Sequence, residues 1–409
     1  MHQLNMINVI GPIFDTSGYS IHTRELANAL FKLTKTRMTT NLVDGWEKVV
    51  TDEELKMIKE PSTEEVNLII ALPHQWKLFT NNYRNFGYCV WEGDKVPESW
   101  INDFLNPDIE YILVPSKHTR QAIENTLMEE TENQESFKIE FSDDFDKIMK
   151  KVKVINHGVD LDKFHTRHID VKNISPSLMK EEVTTGVSKI KSDEEVDIGE
   201  STQYSFAEFI FLCNKGFRNL EDRGGIQYAI KAYLEEFTPE DKVKLIIKLN
   251  MAYPIGDLNK MIEELKPEKV NYPPIEFVAQ NIPYKQMFEF YKKGDVFLAP
   301  TRAEAFNIPC LEAMACGLPV ITTNFGGQTD YVSGKNGWLV SGKLNEVKHE
   351  LMYEGIKWLT PNIFELRRAM RTAFQQRRLP SFRKKKEESI KIARKLTWSH
   401  SAQKIVNLI

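Results

Sequence analysis

The stretch TRAEAFNIPCLEAMACGLPVITTNFGG, residues 301–327, carries a loop, a helix start, a helix stop, a strand and a glycine turn in one segment. The apolar run VFLAP (296–300) before it has strand composition, so residues 301–308 read as the loop at that strand's C-terminal end. Pro309 suits a first helical position, where its missing N–H is one the helix does not use. The Gly-Leu-Pro at 317–319 stops that helix, and PVITTN (319–324) is the next strand. Strand, loop, helix and strand in this order make an α/β unit.

The rest of the chain repeats the unit. INVIGPI (7–13), VNLIIALP (66–73), YCVWE (88–92), YILVPS (111–116) and KVKVINHG (151–158) are strand candidates, and residues 20–33 place Ile21, Leu26, Leu30 and Leu33 at helical spacing. The alternation breaks at 166–204, a polar stretch of mixed charge. It restarts with EFIFLCN (208–214), a helix at 225–237, VKLIIKL (243–249), IEFVAQ (275–280), VFLAP, PVITTN and GWLVSG (337–342). Continuous apolar strands predict parallel sheets covered on both faces. Two runs predict two doubly wound domains with ligands at the C-terminal ends of their strands. A chain of 409 residues agrees with two domains.

Composition narrows the function classes. Hydrophobic content of 41% and charged content of 27% are those of a soluble globular protein, and a net charge of −4 gives no general attraction to nucleic acid. The four cysteines form no Cys-x-x-Cys pair, so neither a zinc site nor a disulfide framework is expected. With no signal-like start and no apolar run of about 20 residues, a cytoplasmic location is expected. Residues 129–146 are acidic and residues 367–395 basic. The plain reading of both is solvated surface; the sharper reading of the basic run is peripheral contact with anionic lipid or a polyanion.

Two constellations carry chemistry. Amides near residues 307–310 open the helix and attract an anion such as phosphate. Glu304 precedes them and Glu312 lies in the first turn; carboxylates accept from sugar hydroxyls. Such a site suits a sugar–diphosphate–ribose ligand. The alternative is that Glu312 only complements the helix dipole and Glu304 is a loop charge. The second constellation is CNKGFRNLEDRGG (213–225), where Arg218 and Arg223 sit in a glycine-containing loop between strand and helix. Their guanidinium forks match phosphate oxygens and would stabilise a departing diphosphate. The alternative is an ordinary surface loop.

Residues 301–327 resemble the donor segment of retaining glycosyltransferases of family 4, which have the GT-B fold: two Rossmann-like domains facing an interdomain cleft. The loop with Arg218 and Arg223 looks like that family's phosphate clamp, with arginine in place of its usual lysine at 223. VINHGVDLDKF (154–164), GPIFDTSGYSIHTRELANAL (11–30) and LTWSHSAQKIVNLI (396–409) are similar to its domain exit, first glycine loop and terminal helix. The resemblance implies an N-terminal acceptor-side domain at 1–165 joined by the terminal helix 386–409, a polar insertion at 166–204 and a donor-binding domain at 205–385. It implies that Glu304 meets the transferred sugar and Glu312 the ribose. On the same resemblance Ala305, Phe306, Asn307 and Ile308 join the donor site, and Gly18 and Tyr19 would bring backbone amides to the diphosphate or the acceptor, the alternative being a tight turn.

Departures from the family pattern are Ala305 and Asn307 where glycine is common and His157 where asparagine is common. VWEGDKVPESW (90–100) replaces the usual histidine segment, so Glu92 and Asp94 become candidates for orienting the acceptor hydroxyl, the alternative being that they bond the loop; His118 reads as structural. The expected partners are a nucleotide-sugar donor and a carbohydrate or glycolipid acceptor, with no cofactor. No Asp-x-Asp pair stands in a suitable loop, so no metal is expected. The rival readings are a dinucleotide oxidoreductase, which lacks its Gly-x-Gly-x-x-Gly loop here, a GT-B epimerase or phosphorylase, and a non-catalytic sugar-nucleotide or polyanion binder.

Overall fold

The computed structural model describes residues 6–15, 17–40, 50–60, 64–133, 138–166, 208–251, 255–268, 271–348 and 351–409. The polar stretch expected at 166–204 lies outside them except for Thr166. The first sheet comprises β1 (Met6–Gly11), β2 (Thr36–Thr40), β3 (Glu64–Ile70), β4 (Arg84–Tyr88), β5 (Ile109–Val114) and β6 (Val152–Val154), all parallel, in the order β2-β1-β3-β4-β5-β6. The helices α1 (Gly18–Phe31), α2 (Asp52–Lys59), α3 (Ile101–Leu105), α4 (Lys117–Asn133) and α5 (Lys138–Lys151) connect them.

The second sheet comprises β7 (Phe209–Lys215), β8 (Val243–Leu249), β9 (Ile275–Val278), β10 (Val296–Ala299), β11 (Val320–Thr323) and β12 (Gly337–Val340), again parallel. Its order is β12-β11-β10-β7-β8-β9, so the direction of winding reverses between β7 and β10. Its helices are α6 (Ile226–Glu236), α7 (Leu258–Leu265), α8 (Met287–Tyr291), α9 (Ile308–Ala315), α10 (Ile363–Gln376) and α11 (Pro380–Ala393). A reversal of this kind opens a crevice at the strand ends, because the two flanking loops leave on opposite faces of the sheet.

Besides β2 (Thr36–Thr40), which no apolar run announces, two strand expectations needed correction. The fourth strand runs Arg84–Tyr88, ahead of the expected 88–92. Its polar start hides it: Asn85 is buried, its side-chain amide donating to three loop carbonyls and its oxygen accepting from Asn67. Gly87 is required there, since a Cβ would stand 2.6 Å from the Trp76 ring. The second departure is an antiparallel pair, β13 (Gly342–Glu346) and β14 (Lys357–Pro361), that no periodicity announced. Between its strands the chain crosses to the first domain. Val347, Tyr353, Ile356 and Trp358 join one apolar cluster with Trp91, Val96 and Trp100, and Tyr353 stacks on Trp91 with centroids 4.8 Å apart. This excursion is a second bridge between the domains.

The first bridge is the pair of crossing segments near residues 155–164 and 394–398. Val159 N–H donates to Leu396 O at 3.0 Å, and a Cβ on Gly158 would lie 2.1 Å from the Trp398 nitrogen. The terminal helix α12 (Trp398–Val406) packs on α1, whereas α11 still packs on α9 of the second domain. The return to the first domain thus falls at residues 394–397.

The basic run is partly tied into the fold. Arg367 pairs with Glu235 and Glu236, Arg371 with Glu236 and Asp241, and Arg383 and Lys391 pair within α11. Among the described residues no helix is long and apolar enough to cross a membrane.

Candidate active site

The cleft at the reversal between β7 and β10 has a volume of about 400 Å³, the size of a small-ligand pocket. The two loops that form it lie against each other. Gly225, at φ 81°, makes this possible: a Cβ there would meet Pro300 O at 2.1 Å. Asn307 caps α9 in the left-handed region, φ 69°, an uncommon conformation for a residue with a side chain. That turn aims the start of α9 into the cleft, with Pro309 in its first turn.

A charged network sits beneath this helix start. Lys215, the last residue of β7, donates from Nζ to Glu304 Oε1 at 2.6 Å and to Asn307 Oδ1 at 2.9 Å. Burial pushes the Glu304 carboxyl up, but Lys215 and Arg223 outweigh it and hold the group below its ordinary value. Glu304 is therefore a carboxylate at neutral pH. Asn307 Nδ2 is buried with no partner among the described residues, a donor at the mouth of a helix N-terminus. The glycine turn after β11 acts as a buttress. Gly327 N–H donates to Glu304 O at 2.7 Å, and a Cβ on Gly327 would lie 1.9 Å from Ala305 O.

Glu312 lines the same cleft but is buried, accepting from Tyr284 Oη at 2.7 Å and Tyr291 Oη at 2.6 Å. Burial raises its pKa; the two hydroxyls pull the other way. Each oxygen keeps a further lone pair for a hydroxyl of a ligand.

The two arginines differ. Arg223 reaches across the cleft to Glu92 Oε1 at 2.7 Å, so a loop of the second domain touches the first. Arg218 is 52% exposed at the rim, its Nε 3.8 Å from Asp222. Glu92 also accepts from Tyr353 Oη at 2.7 Å. Asp94 does not line the cleft; its Oδ1 accepts from Lys357 N–H at 2.7 Å and holds the interdomain excursion. His118 is bonded through Nε2 to Glu92 O. Gly18 and Tyr19 line the first-domain wall, Tyr19 donating to Val90 O at 3.0 Å; nothing lies within 4 Å of a Cβ on Gly18. Ala305, Phe306 and Ile308 line the opposite wall.

Several lining residues escaped sequence reading: Lys215, Lys248, His22 and Tyr284. For the lysines a signal existed, a cation at the C-terminal end of an otherwise buried strand, in FLCNK and LIIKL. For His22 none did.

The rings of His22 and His157 lie tilted with centroids 4.2 Å apart, Tyr88 and Trp398 beside both and Phe306 beside His157, and their ring nitrogens have no partner among the described residues. Burial lowers both pKa values, that of His157 to about 3, and His157 further lowers that of His22. The native state therefore binds fewer protons than the unfolded chain between about pH 6.5 and pH 3. The stability from keeping the rings neutral is complete above the unfolded pKa and is lost as pH falls through this window. We expect thermal unfolding temperatures to drop from pH 7 to 5, and the slope to flatten in a His22→Leu, His157→Leu double variant. Equal slopes in the two proteins would refute this.

Residues 217–353 match the family described as glycosyl transferases group 1. A D-inositol 3-phosphate glycosyltransferase of Acidothermus cellulolyticus is 38% identical over 65 residues, which cover 16% of this chain and only 14% of that protein. One from Pseudarthrobacter chlorophenolicus is 23% identical over 370 residues, 80% of this chain and 79% of that protein. Sucrose-phosphate synthase from Thermosynechococcus elongatus superposes with a TM-score of 0.59 at 14% identity, covering 99% of this chain and 98% of that one. Anabaena Alr3699/HepE, solved with UDP and glucose, superposes with a TM-score of 0.56 at 12% identity, covering 99% of both chains. The fold is GT-B.

Proposed function

We propose, from the premise that residues 217–353 form a glycosyl transferases group 1 domain within a GT-B fold, that the chain is a glycosyltransferase. It takes a sugar from a nucleoside diphosphate donor held mainly on the second domain. It passes the sugar to a hydroxyl of a carbohydrate or glycolipid acceptor on the first domain, with retention at the anomeric carbon. The observation that carries this reading is the convergence of Lys215, Glu304, Asn307 and Arg223 with the α9 N-terminus at the switch point. A neighbouring fold binding UDP supports the choice of donor.

The bond from the anomeric carbon to the diphosphate oxygen breaks, and its electrons stay on that oxygen. Arg223, the α9 amides and Arg218 at the rim meet the growing negative charge. Glu304 faces the growing positive charge on the sugar. Because Lys215 grips Glu304, the carboxylate serves as a fixed counter-charge and not as a nucleophile. The acceptor oxygen attacks from the face the diphosphate leaves, and its proton passes to the departing diphosphate oxygen. Glu92, bonded to Arg223 and Tyr353, sets the position of Arg223 toward the diphosphate. The exposed Arg378, Arg383 and Lys384 around Leu379 are the part of the basic run that would meet an anionic surface.

The test is release of nucleoside diphosphate from sugar-nucleotide donors in the presence of glycan and glycolipid acceptors. Release that depends on the acceptor is expected, as is activity that survives EDTA, because side-chain and helix charges face the leaving group. Absence of release with every donor that binds would overturn the enzymatic reading in favour of a binding protein. Loss of activity in EDTA with recovery in manganese or magnesium would overturn the metal-free mechanism.

A further inference from the structure

Lys248 stands at the end of β8 and lines the cleft, yet the residue is only 9% exposed. Among the described residues its ammonium makes no ion pair and one hydrogen bond, to Leu249 O at 3.3 Å. An ammonium carries three donors, and a buried charge is ordinarily paired. Burial pulls the pKa of this amine down while Glu312 pulls it back up. Donor capacity is therefore left for whatever enters the cleft.

The strand order says which part of a ligand that is. Along the C-terminal edge the strands run β10, β7, β8, β9. Glu304 and Asn307 follow β10, and Lys215 and Arg223 belong to the end of β7 and its loop. Lys248 and Asn250 lie at the end of β8, and Asn281 and Ile282 follow β9; all four line the cleft. On the donor reading above, a ligand with its sugar at β10 and its diphosphate at β7 lays its nucleoside over β8 and β9. Ribose hydroxyls find their acceptor in Glu312, which the ammonium lies near enough to feel. What remains for Lys248 is the base.

We propose that Lys248 is a specificity-determining residue that donates to a ring carbonyl oxygen of the donor's nucleobase. The site then favours a base with such an oxygen, uracil or guanine, over adenine, which has none. The side-chain amides of Asn250 and Asn281 supply both donors and acceptors for the rest of the base edge, and Ile282 gives it an apolar contact.

The experiment is calorimetric titration of UDP, GDP and ADP into the wild-type chain and into Lys248→Met and Lys248→Arg. Wild type is expected to bind UDP or GDP at least about tenfold tighter than ADP, the lower end for a charge-assisted hydrogen bond. Lys248→Met should remove that preference by weakening the better ligand alone, and Lys248→Arg should restore part of it. Thermal unfolding of each variant is measured beside the titrations, and Lys248→Met should unfold no earlier than wild type, because it removes a poorly paired buried charge. Equal weakening of all three ligands by Lys248→Met would assign the lysine to phosphate or ribose and overturn the proposal. So would wild-type binding in which ADP is the tightest, a result that needs no variant. Binding of none of the three would instead overturn the donor-site reading itself.

Discussion

Replacing Glu304 with glutamine is expected to lower turnover by about 10²–10³-fold, the scale of losing one preorganised electrostatic partner of a transition state. The carboxylate is held in place by Lys215 at 2.6 Å, and in the proposed reaction it faces the sugar carbon as that carbon becomes electron-poor. Glutamine keeps an oxygen for Lys215, so the buried ammonium retains an acceptor and the loop keeps its shape. It removes the negative charge that opposes the developing positive one. Affinity for the bare nucleoside diphosphate should change little, because that ligand lacks the sugar. Glu304→Ala should behave differently. It strands Lys215 and should cost about 3–5 kcal/mol of stability. Turnover and diphosphate affinity measured on Glu304→Gln decide the matter. Full turnover on the true donor and acceptor would show that the residue is only a loop charge.

The second large effect concerns Arg223. Arg223→Ala should weaken nucleoside diphosphate binding by about 1.5–3 kcal/mol, the range for a hydrogen bond to a charged group. Arg218→Ala should cost less, because that guanidinium is half exposed at the rim and solvent screens it. The structure adds a check of opposite sign. Arg223 is bonded to Glu92 at 2.7 Å, so on the proposed reading the carboxylate competes with the diphosphate for the same guanidinium. Glu92→Gln should therefore tighten diphosphate binding while Arg223→Ala loosens it. Calorimetry on the three variants tests the set. Unchanged affinity in Arg223→Ala would remove this arginine from the clamp, and weaker binding in Glu92→Gln would show that the bridge assists the site.

The pair Glu304 and Glu312 illustrates how far residue type and spacing reach. Both acids were legible as cleft residues, because a strand, a short loop and a proline-opened helix fix where each lies. Their surroundings were not legible. Lys215 comes from a strand 89 positions away from Glu304, and Tyr284 lies 28 positions from Glu312. Glu92 and Asp94 show the same limit. Two positions apart, they have unrelated partners, one in the cleft with Arg223, the other on the Lys357 amide.

Local sequence was enough for the layered α/β character, the two-domain plan and the strand-loop-helix frame of residues 296–315 with its proline-opened helix. These follow from local rules: apolar runs bounded by glycine and proline, helical spacing, and the chemistry of a proline at a helix opening. The antiparallel excursion that docks Tyr353 on Trp91, the pairing of Arg223 with Glu92, and the placing of Lys215 and Lys248 in the cleft emerge only in the packed chain. The excursion and the Arg223–Glu92 pair need the two sheets closed against each other, whereas the lysines enter the cleft because β7 lies beside β10 and β8 beside β7 in one sheet. A charge in a sequence carries no mark of its partner. Burial and partnership are properties of the packed chain, set by residues tens to hundreds of positions away.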